Sequence, residues 1–172
     1  MYVRSLYTET LMDLSQRVED ILKGAALMTG TTVDAQWDEH PMSLPVRNNA
    51  TLARRWGATQ ASRGRDVLPA GTLPDSQAAS TDFGNVSHLV PGIHPLVKIA
   101  PEGTALHTTD FAAAAISDQA FEGAFDAAVG LAQTIADILN DPQLLADAQE
   151  EFRLAGGAIS VEKLLAGAAE QP

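Results

Sequence analysis

Apolar residues recur at helical spacing near the start of the chain, at Leu11, Leu14, Val18, Ile21, Leu22 and Ala25. Acidic and amide side chains fall largely on the opposite face, so the pattern predicts an amphipathic helix with one buried stripe. Thr8 is expected to cap this helix. Gly30 is expected to end it, because glycine readily adopts the left-handed conformation that closes a last turn.

Three short segments are typical of strands. Residues 2–7 and 94–100 are short runs rich in apolar side chains, and in residues 31–37 apolar and polar side chains alternate. Residues 2–37 would then form a β-α-β segment, which needs partner strands because one helix on two strands buries little area.

The second half of the chain favours helices. Residues 117–140 are apolar around most of a helical circumference, which indicates a helix sandwiched in a core. Asp141 and Pro142 can begin another helix, as N-cap and first helical residue. Asparagines at residues 48–49 can cap a short helix, and residues 58–80 are expected to form a mobile loop. Helices and strands together predict an α/β fold.

Composition and charge narrow the classes of function. The chain has 172 residues, 45% of them hydrophobic, a net charge of -11 and no cysteine. This acidity argues against nucleic acid as a partner, since binding a phosphate backbone needs clustered Lys and Arg. The chain contains no run of about 18 apolar residues, so a membrane span is not predicted. The first residues of the chain lack the features of a secretory signal. We therefore expect a cytoplasmic protein that does not bind membranes.

One basic cluster stands out, consisting of Arg47, Arg54, Arg55, Arg63 and Arg65. A solvated surface patch is the favoured interpretation, because charge clusters usually face water. The alternative is a rim that attracts a substrate carboxylate.

Three of the four histidines lie within residues 79–110, among glycines, prolines and short polar residues. The segment contains Ala-Ser-Thr-Asp-Phe-Gly-Asn-Val-Ser-His at residues 79–88, Pro-Gly-Ile-His-Pro at 91–95 and Leu-His-Thr-Thr-Asp at 106–110. Such residues fix the backbone in special conformations and aim side chains at a site, as at the rim of a metal hydrolase.

These three motifs, in this order, resemble the C-terminal part of the dinuclear-zinc aminoacylase and carboxypeptidase family (peptidase family M twenty), most closely its aminobenzoyl-glutamate hydrolase-like amidohydrolases. The resemblance runs from Tyr2 to about Phe152. It implies a partial aminopeptidase-like α/β sandwich, a mixed sheet flanked by helices, at residues 41–155. Residues 1–40 would be the last β-α-β part of a ferredoxin-like lid that mediates homodimerisation, and 156–172 a tail.

The resemblance also implies a role for His107 as the family's last metal ligand, on zinc or another divalent metal such as manganese. By residue type alone, a lone histidine before a helix is more often a hydrogen-bonded structural residue. The other ligands and the general base would come from the N-terminal half of the family, since this chain has no His-x-Asp pair and no suitable Glu-Glu pair. A single imidazole does not hold zinc with useful affinity.

Further candidate residues surround this one. Ser80, Thr81 and Asp82 could orient a metal ligand from the second layer around the metal, or Asp82 could simply close an Asx-turn. By resemblance Arg4 would bind a substrate carboxylate through its planar guanidinium, or it is an ordinary surface arginine. His94 could contact substrate or lie hydrogen-bonded in the core.

The leading hypothesis is the C-terminal portion of a zinc-dependent amidohydrolase that cleaves the amide of N-acyl or N-aminobenzoyl amino acids or small peptides. A truncated, non-catalytic fragment or pairing module is the alternative, because most metal ligands are absent. An all-helical binding module built on the long alanine-rich helix is disfavoured, because strand-like alternation has no role in such a bundle.

Overall fold

The computed structural model describes residues 1–37, 42–72, 81–160 and 162. Six α-helices form within these residues, joined by turns and irregular segments. Their bounds are α1 Thr8–Thr29, α2 Ala50–Ser62, α3 Phe83–Ser87, α4 Thr109–Ala114, α5 Asp118–Asn140 and α6 Pro142–Leu154.

The predicted α/β fold is wrong, because the described residues are helical and contain no strand. Residues 2–7, 31–37 and 94–100 are irregular where strands were expected. The alternating segment does not bury one face, since Val33 and Trp37 are each 41% exposed. A strand is stable when its N–H and C=O groups pair with a neighbouring strand. The described chain supplies no such neighbour, so neither the aminopeptidase-like sandwich nor the β-α-β lid forms in it.

Most of the longer helices begin at a residue whose side chain caps them. Asn49, Thr108 and Asp141 each accept a hydrogen bond from a backbone N–H in the first turn of α2, α4 and α6. Ser117 does the same for α5. Gly30 ends α1 in the left-handed conformation, at a φ of 67°. The residue in the N-cap position of α1 is Tyr7 rather than Thr8, and its side chain makes no capping bond.

The chain forms two compact units, each built from discontinuous segments. Unit 1 comprises Met1–Arg47, Gly71–Val90 and Gly156–Pro172, and it contains α1 and α3. Unit 2 comprises Asn48–Ala70 and Pro91–Ala155, and it contains α2, α4, α5 and α6.

In unit 1 the predicted apolar stripe of α1 is mostly exposed. Leu11 is its one buried residue, whereas Ile21 is 67% exposed. Among the described residues of the unit, Leu44 is the other large buried apolar side chain, and it lies in the segment that α3 contacts. Helix α3 therefore forms the better-packed part of this unit.

In unit 2, α2 packs against both α5 and α6, which also pack against each other. The closest approach involves Gly130 of α5. A Cβ atom at this position would lie 2.2 Å from Nε2 of Gln60 and 2.6 Å from Nε1 of Trp56, both on α2. Only glycine leaves room for these side chains, and both of them are buried.

The prediction that α5 is sandwiched in a core holds for one of its faces only. Ala120, Gly123, Asp126, Gly130 and Thr134 are its buried residues, whereas Val129 and Ile138 are half-buried and its other large apolar side chains, Phe121, Phe125, Leu131, Ile135 and Leu139, are exposed. Although α5 has 23 residues, neither it nor any other helix in the described part of the chain has the length and apolar character needed to cross a bilayer.

Candidate functional site

His107 lies in the short loop that leads into α4, and its side chain is exposed. Two hydrogen bonds shape this loop: Thr104 N donates to the Pro101 carbonyl at 3.3 Å, and Thr108 Oγ1 donates to the Ala105 carbonyl at 2.8 Å. The same Thr108 hydroxyl caps α4. His107 thus directly precedes Thr108, whose hydroxyl is held by a hydrogen bond to the Ala105 carbonyl and by its capping bond to α4.

The backbone of His107 is in the left-handed conformation, with a φ of 61°, and it is the only non-glycine residue with a positive φ in the described ranges. This conformation costs a residue with a Cβ atom roughly 1–2 kcal/mol. Residues held in this way cluster at active and ligand-binding sites. The conformation is thus the structural observation at His107 that favours a functional role.

Thr81, rather than Asp82, closes the turn before α3. The Thr81 hydroxyl accepts a hydrogen bond from Phe83 N at 3.3 Å and donates one to Asp82 Oδ1 at 3.3 Å. Asp82 is exposed and its side chain makes no capping bond. The Asx-turn alternative for Asp82 is therefore not what closes this bend. Ser80 lies outside the described residues.

Helix α3 is held against residues 42–47 by hydrogen bonds from its side chains to backbone. Asn85 Oδ1 accepts from Leu44 N at 2.8 Å, and Asn85 Nδ2 donates to the Met42 carbonyl at 3.1 Å. The fit is close, since a Cβ atom on Gly84 would lie 1.8 Å from the Leu44 carbonyl oxygen. The Asn85 side chain thus pairs the Leu44 N–H and the Met42 C=O, which a neighbouring strand would pair in a sheet.

Two further side chains continue this arrangement. Ser87 Oγ accepts from Arg47 N at 2.9 Å and donates to the Gly84 carbonyl at 2.6 Å. His88 Nε2 lies 3.0 Å from the Pro45 carbonyl, and the His88 ring is buried. Sequence reasoning missed this scaffold. The signal was present, because residues three and four apart, such as Gly84, Ser87 and His88, share one side of a helical turn.

The pKa of the His88 ring is lowered from its ordinary value. Burial lowers the pKa of its ring, the hydrogen bond to Pro45 raises it, the nearby Arg47 lowers it, and the net shift is downward. A buried neutral imidazole bonded to backbone is a structural group. It belongs to the packing of unit 1, where the His88 carbonyl also accepts from Ile159 N at 2.8 Å.

His94 lies in the segment beside the start of α2, with an exposed side chain. Its backbone N donates to Asn48 Oδ1 at 2.8 Å, and Asn49 N donates to the Gly92 carbonyl at 2.9 Å. Asn49 also donates through Nδ2 to the Ala148 carbonyl at 2.9 Å, which ties this corner to α6. The backbone around His94 is therefore well fixed.

Arg4 is exposed, and its guanidinium carbon lies 5.2 Å from the centroid of the Tyr2 ring. It belongs to unit 1, together with Thr81 and Asp82, whereas His94 and His107 belong to unit 2. Across the described ranges, no group of three or more His, Asp or Glu side chains converges on a point where it could hold a metal ion.

The basic cluster is largely paired with acidic residues of α5. Arg63 and Arg65 converge on the two carboxylate oxygens of Asp126, and Arg55 forms an ion pair with Asp137. The pKa of Asp126 is lowered, mainly by the hydrogen bond from Arg63 and then by that from Arg65, against the opposing effect of burial. These three arginines tie α2 and the residues after it to α5, so a merely solvated patch does not describe them. The rim that attracts a substrate carboxylate stays a prediction.

Comparison with known proteins finds similarity to Xaa-Arg dipeptidases. The chain is 34% identical over 152 residues to the Xaa-Arg dipeptidase of Mus musculus and 33% identical over 153 residues to that of Homo sapiens. These matches cover 88% and 89% of the chain but 35% of each relative, so the chain spans about a third of their length. No family model matches the chain.

Each match covers nearly nine-tenths of the chain, so it includes residues 79–110 wherever in the chain the match begins. The chain is therefore homologous to peptidases. This confirms the coarser part of the resemblance drawn from residues 79–110, while the aminobenzoyl-glutamate-like subtype stays a prediction.

Proposed function

We propose that this chain is the C-terminal portion of a metal-dependent peptidase that cleaves the amide bond of dipeptides or N-acyl amino acids. The observation that carries the proposal is the identity of 33–34% with two Xaa-Arg dipeptidases over nearly the whole chain, including its three motifs. Dipeptides that end in arginine are the first substrates to test, since a net charge of -11 favours a cationic substrate. N-aminobenzoyl amino acids are the second class.

We assign His107 as the metal ligand that this chain contributes. Its exposed side chain and its left-handed backbone support the assignment. Ser80, Thr81 and Asp82 are proposed to support the metal site, and Arg4 and His94 to bind substrate. Of these, His94 has the firmer support, because its backbone is bonded to the Asn48 side chain.

The described residues do not fit a complete zinc or manganese site, because no three potential ligands converge among them. No catalytic step can therefore rest on the residues of this chain alone. In the proposal, the other ligands and the general base belong to polypeptide that the relatives contain outside the matched third. The pairing through residues 1–40, the division at residues 41 and 156, and a cytoplasmic location stay predictions.

Complementation tests the proposal. The chain would be co-expressed with the part of the mouse Xaa-Arg dipeptidase that lies outside the match, and arginine release from a dipeptide would be measured with added zinc or manganese. Hydrolysis is expected for the pair and for neither part alone, and a chelator should abolish it. Asparagine tolerates a positive φ, so His107→Asn should preserve the fold yet lower kcat/KM by at least about 100-fold.

Glu102→Gln, which changes another exposed residue of the same loop, is the matched control and should leave hydrolysis unchanged. If His107→Asn kept full activity in an active pair, His107 would not be a ligand. If the two parts formed a stable complex that hydrolysed neither class of substrate, the peptidase proposal would be wrong.

That last result would favour the second candidate, a non-catalytic fragment or pairing module. Two observations support this candidate: the chain spans 35% of each relative, and its described residues do not assemble a metal site. The helical structure also removes the strand-based argument against a helical binding module, although homology to dipeptidases still favours the peptidase.

A further inference from the structure

Two adjacent asparagines hold the Pro-Gly-Ile-His-Pro segment at residues 91–95 to the start of α2. The His94 backbone N donates to Asn48 Oδ1 at 2.8 Å, and Asn49 N donates to the Gly92 carbonyl at 2.9 Å. Because a backbone N–H only donates, the atom of Asn48 that faces His94 is the side-chain oxygen. One asparagine thus acts through its side chain and the next through its backbone.

The backbone of His94 is restricted from both sides. Pro95 follows it, and a residue that precedes a proline is biased towards an extended backbone. On the other side, the bond to Asn48 holds the His94 N–H. The direction in which the His94 side chain leaves the chain is therefore set by its two bonded neighbours, Asn48 and Pro95.

Asn48 reaches His94 from a fixed base, because the residues after it are bonded to two helices. Asn49 is buried, and its Oδ1 accepts from Leu52 N at 3.0 Å while its Nδ2 donates to the Ala148 carbonyl of α6 at 2.9 Å. Glu151 of α6 also accepts from Thr51 N at 2.9 Å. The start of α2 is thus held by its own first turn and by α6.

Stability does not account for the bond between Asn48 and His94. Both residues are exposed, and an exposed hydrogen bond adds little to stability because water can replace either partner. What the bond supplies is the direction of the His94 side chain. We propose that Asn48 is a positioning residue, which acts through His94 by aiming its imidazole at the substrate. The inference rests on the proposed function, in which His94 binds substrate.

The direction of the imidazole matters because a hydrogen bond weakens steeply when its donor points away from the acceptor. An oxygen of the dipeptide or N-acyl amino acid is the acceptor that the His94 ring would meet. The substrate carboxylate is the strongest such partner, since hydrogen bonds to charged groups are the strong ones. A backbone that turned freely at His94 would lose this alignment, so the role of Asn48 appears in substrate binding.

Amide hydrogen exchange of the isolated chain, followed by NMR, tests the bond without any activity. The His94 amide should exchange about tenfold faster in Asn48→Ala than in the natural chain, because the acceptor is lost. Asn48→Asp keeps an oxygen acceptor and should retain the slow exchange. A His94 amide that exchanged equally fast in all three chains would overturn the inference.

Kinetics of the complemented pair test the positioning role. Asn48→Ala should raise KM about five- to tenfold with a smaller change in kcat, since it misplaces a substrate contact and leaves His107 untouched. Asn140→Ala is the matched control, because it removes an exposed side-chain hydrogen bond to the Ala136 carbonyl on α5. This control should leave KM unchanged.

A double-mutant cycle with His94 separates positioning from a general loss of structure. His94→Ala removes the imidazole, so adding Asn48→Ala to it should change KM no further. If the two effects on KM multiplied, or if Asn48→Ala alone kept the natural KM in an active pair, Asn48 would not act through His94 and the inference would be wrong. A natural pair that formed a complex and hydrolysed nothing would instead overturn the proposed function, and this inference with it.

Discussion

At the residue scale, His88 shows how one backbone contact and burial fix a charge state. The Pro45 carbonyl only accepts, so Nε2 of His88 carries the ring proton and donates it at 3.0 Å. Nδ1 is buried and has no hydrogen-bond partner among the residues that the structure describes. A second proton would have to occupy this buried nitrogen, so burial is the main cause of the lowered pKa, and the charge of Arg47 lowers it further.

The lowered pKa of His88 predicts stability that is lost in mild acid. Below about pH 6.5 the unfolded chain binds a proton at this histidine while the folded chain resists it. The free energy of unfolding should therefore fall as the pH drops through 6.5, until the folded pKa is passed. His88→Gln can keep the donor to Pro45 and should flatten this dependence.

The measurement is the Tm between pH 8 and pH 5. Asp126 and Glu151 do not interfere, because their pKa values are lowered from 3.8 and 4.5. His94→Gln changes an exposed histidine and serves as the control, which should keep the slope of the natural chain. An equal slope for His88→Gln and the natural chain would show that His88 does not titrate differently in the two states.

The structural roles of some single residues could be predicted from the sequence, and those of others could not. Gly30 and the caps Asn49 and Asp141 could be predicted, because a cap depends on residues within one helical turn. The roles of Asn85 and His88 could not, because their partners lie more than 40 residues away in sequence. Conformations of single residues, such as the left-handed backbone of His107, are likewise set by the local fold.

At the element scale, helices could be predicted and strands could not. A helix makes its hydrogen bonds within its own segment, so periodicity and caps locate it. A strand depends on a neighbour, and residues 31–37 have the alternation of a strand without a described neighbour to pair with. Helix α3 went unrecognised, since it has five residues and is held by side-chain bonds to residues 42–47.

The packing of α3 predicts a large effect for a single methyl group. Gly84→Ala would place a Cβ atom 1.8 Å from the Leu44 carbonyl oxygen. The backbone has to move apart, so we expect a loss of stability on the order of 3 kcal/mol. The midpoint of urea unfolding measures it.

Gly24→Ala is the matched control. It adds the same methyl group within α1, where no atom lies within 4 Å of the new Cβ. Because glycine is unfavourable inside a helix, this change should stabilise the chain by about 0.5–1 kcal/mol. Equal effects of the two substitutions would contradict the close contact at Gly84.

At the scale of the whole molecule, the chain combines homology to an enzyme with a helical fold. The sequence motifs indicated the kind of relative, and the dipeptidases confirm that part. The assembly of each unit from discontinuous segments was not predictable, because it depends on contacts such as those between Asp126 and the two arginines after α2. Local patterns do not contain that information.

The helical fold predicts the far-ultraviolet circular dichroism of the isolated chain. We expect the double minimum of α-helices without a strand contribution, because the described residues contain six helices and no strand. If residues 31–37 stay irregular when the chain binds the remaining part of a dipeptidase, the spectrum of the pair should equal the sum of the spectra of the two parts. A clear strand contribution in the isolated chain would contradict the described fold.

The two faces of α5 have a consequence for mutational tolerance. Side chains usually resist replacement in proportion to their size and hydrophobicity, but on this helix the order is partly reversed. Gly123 and Gly130 accept no larger residue without displacing atoms of Ile99, Gln60 or Trp56. On the opposite face Phe121 is 72% exposed, whereas Phe125 has the Arg63 guanidinium over its ring. A saturation scan read out by folding alone should therefore rank Gly123 and Gly130 as less replaceable than Phe121.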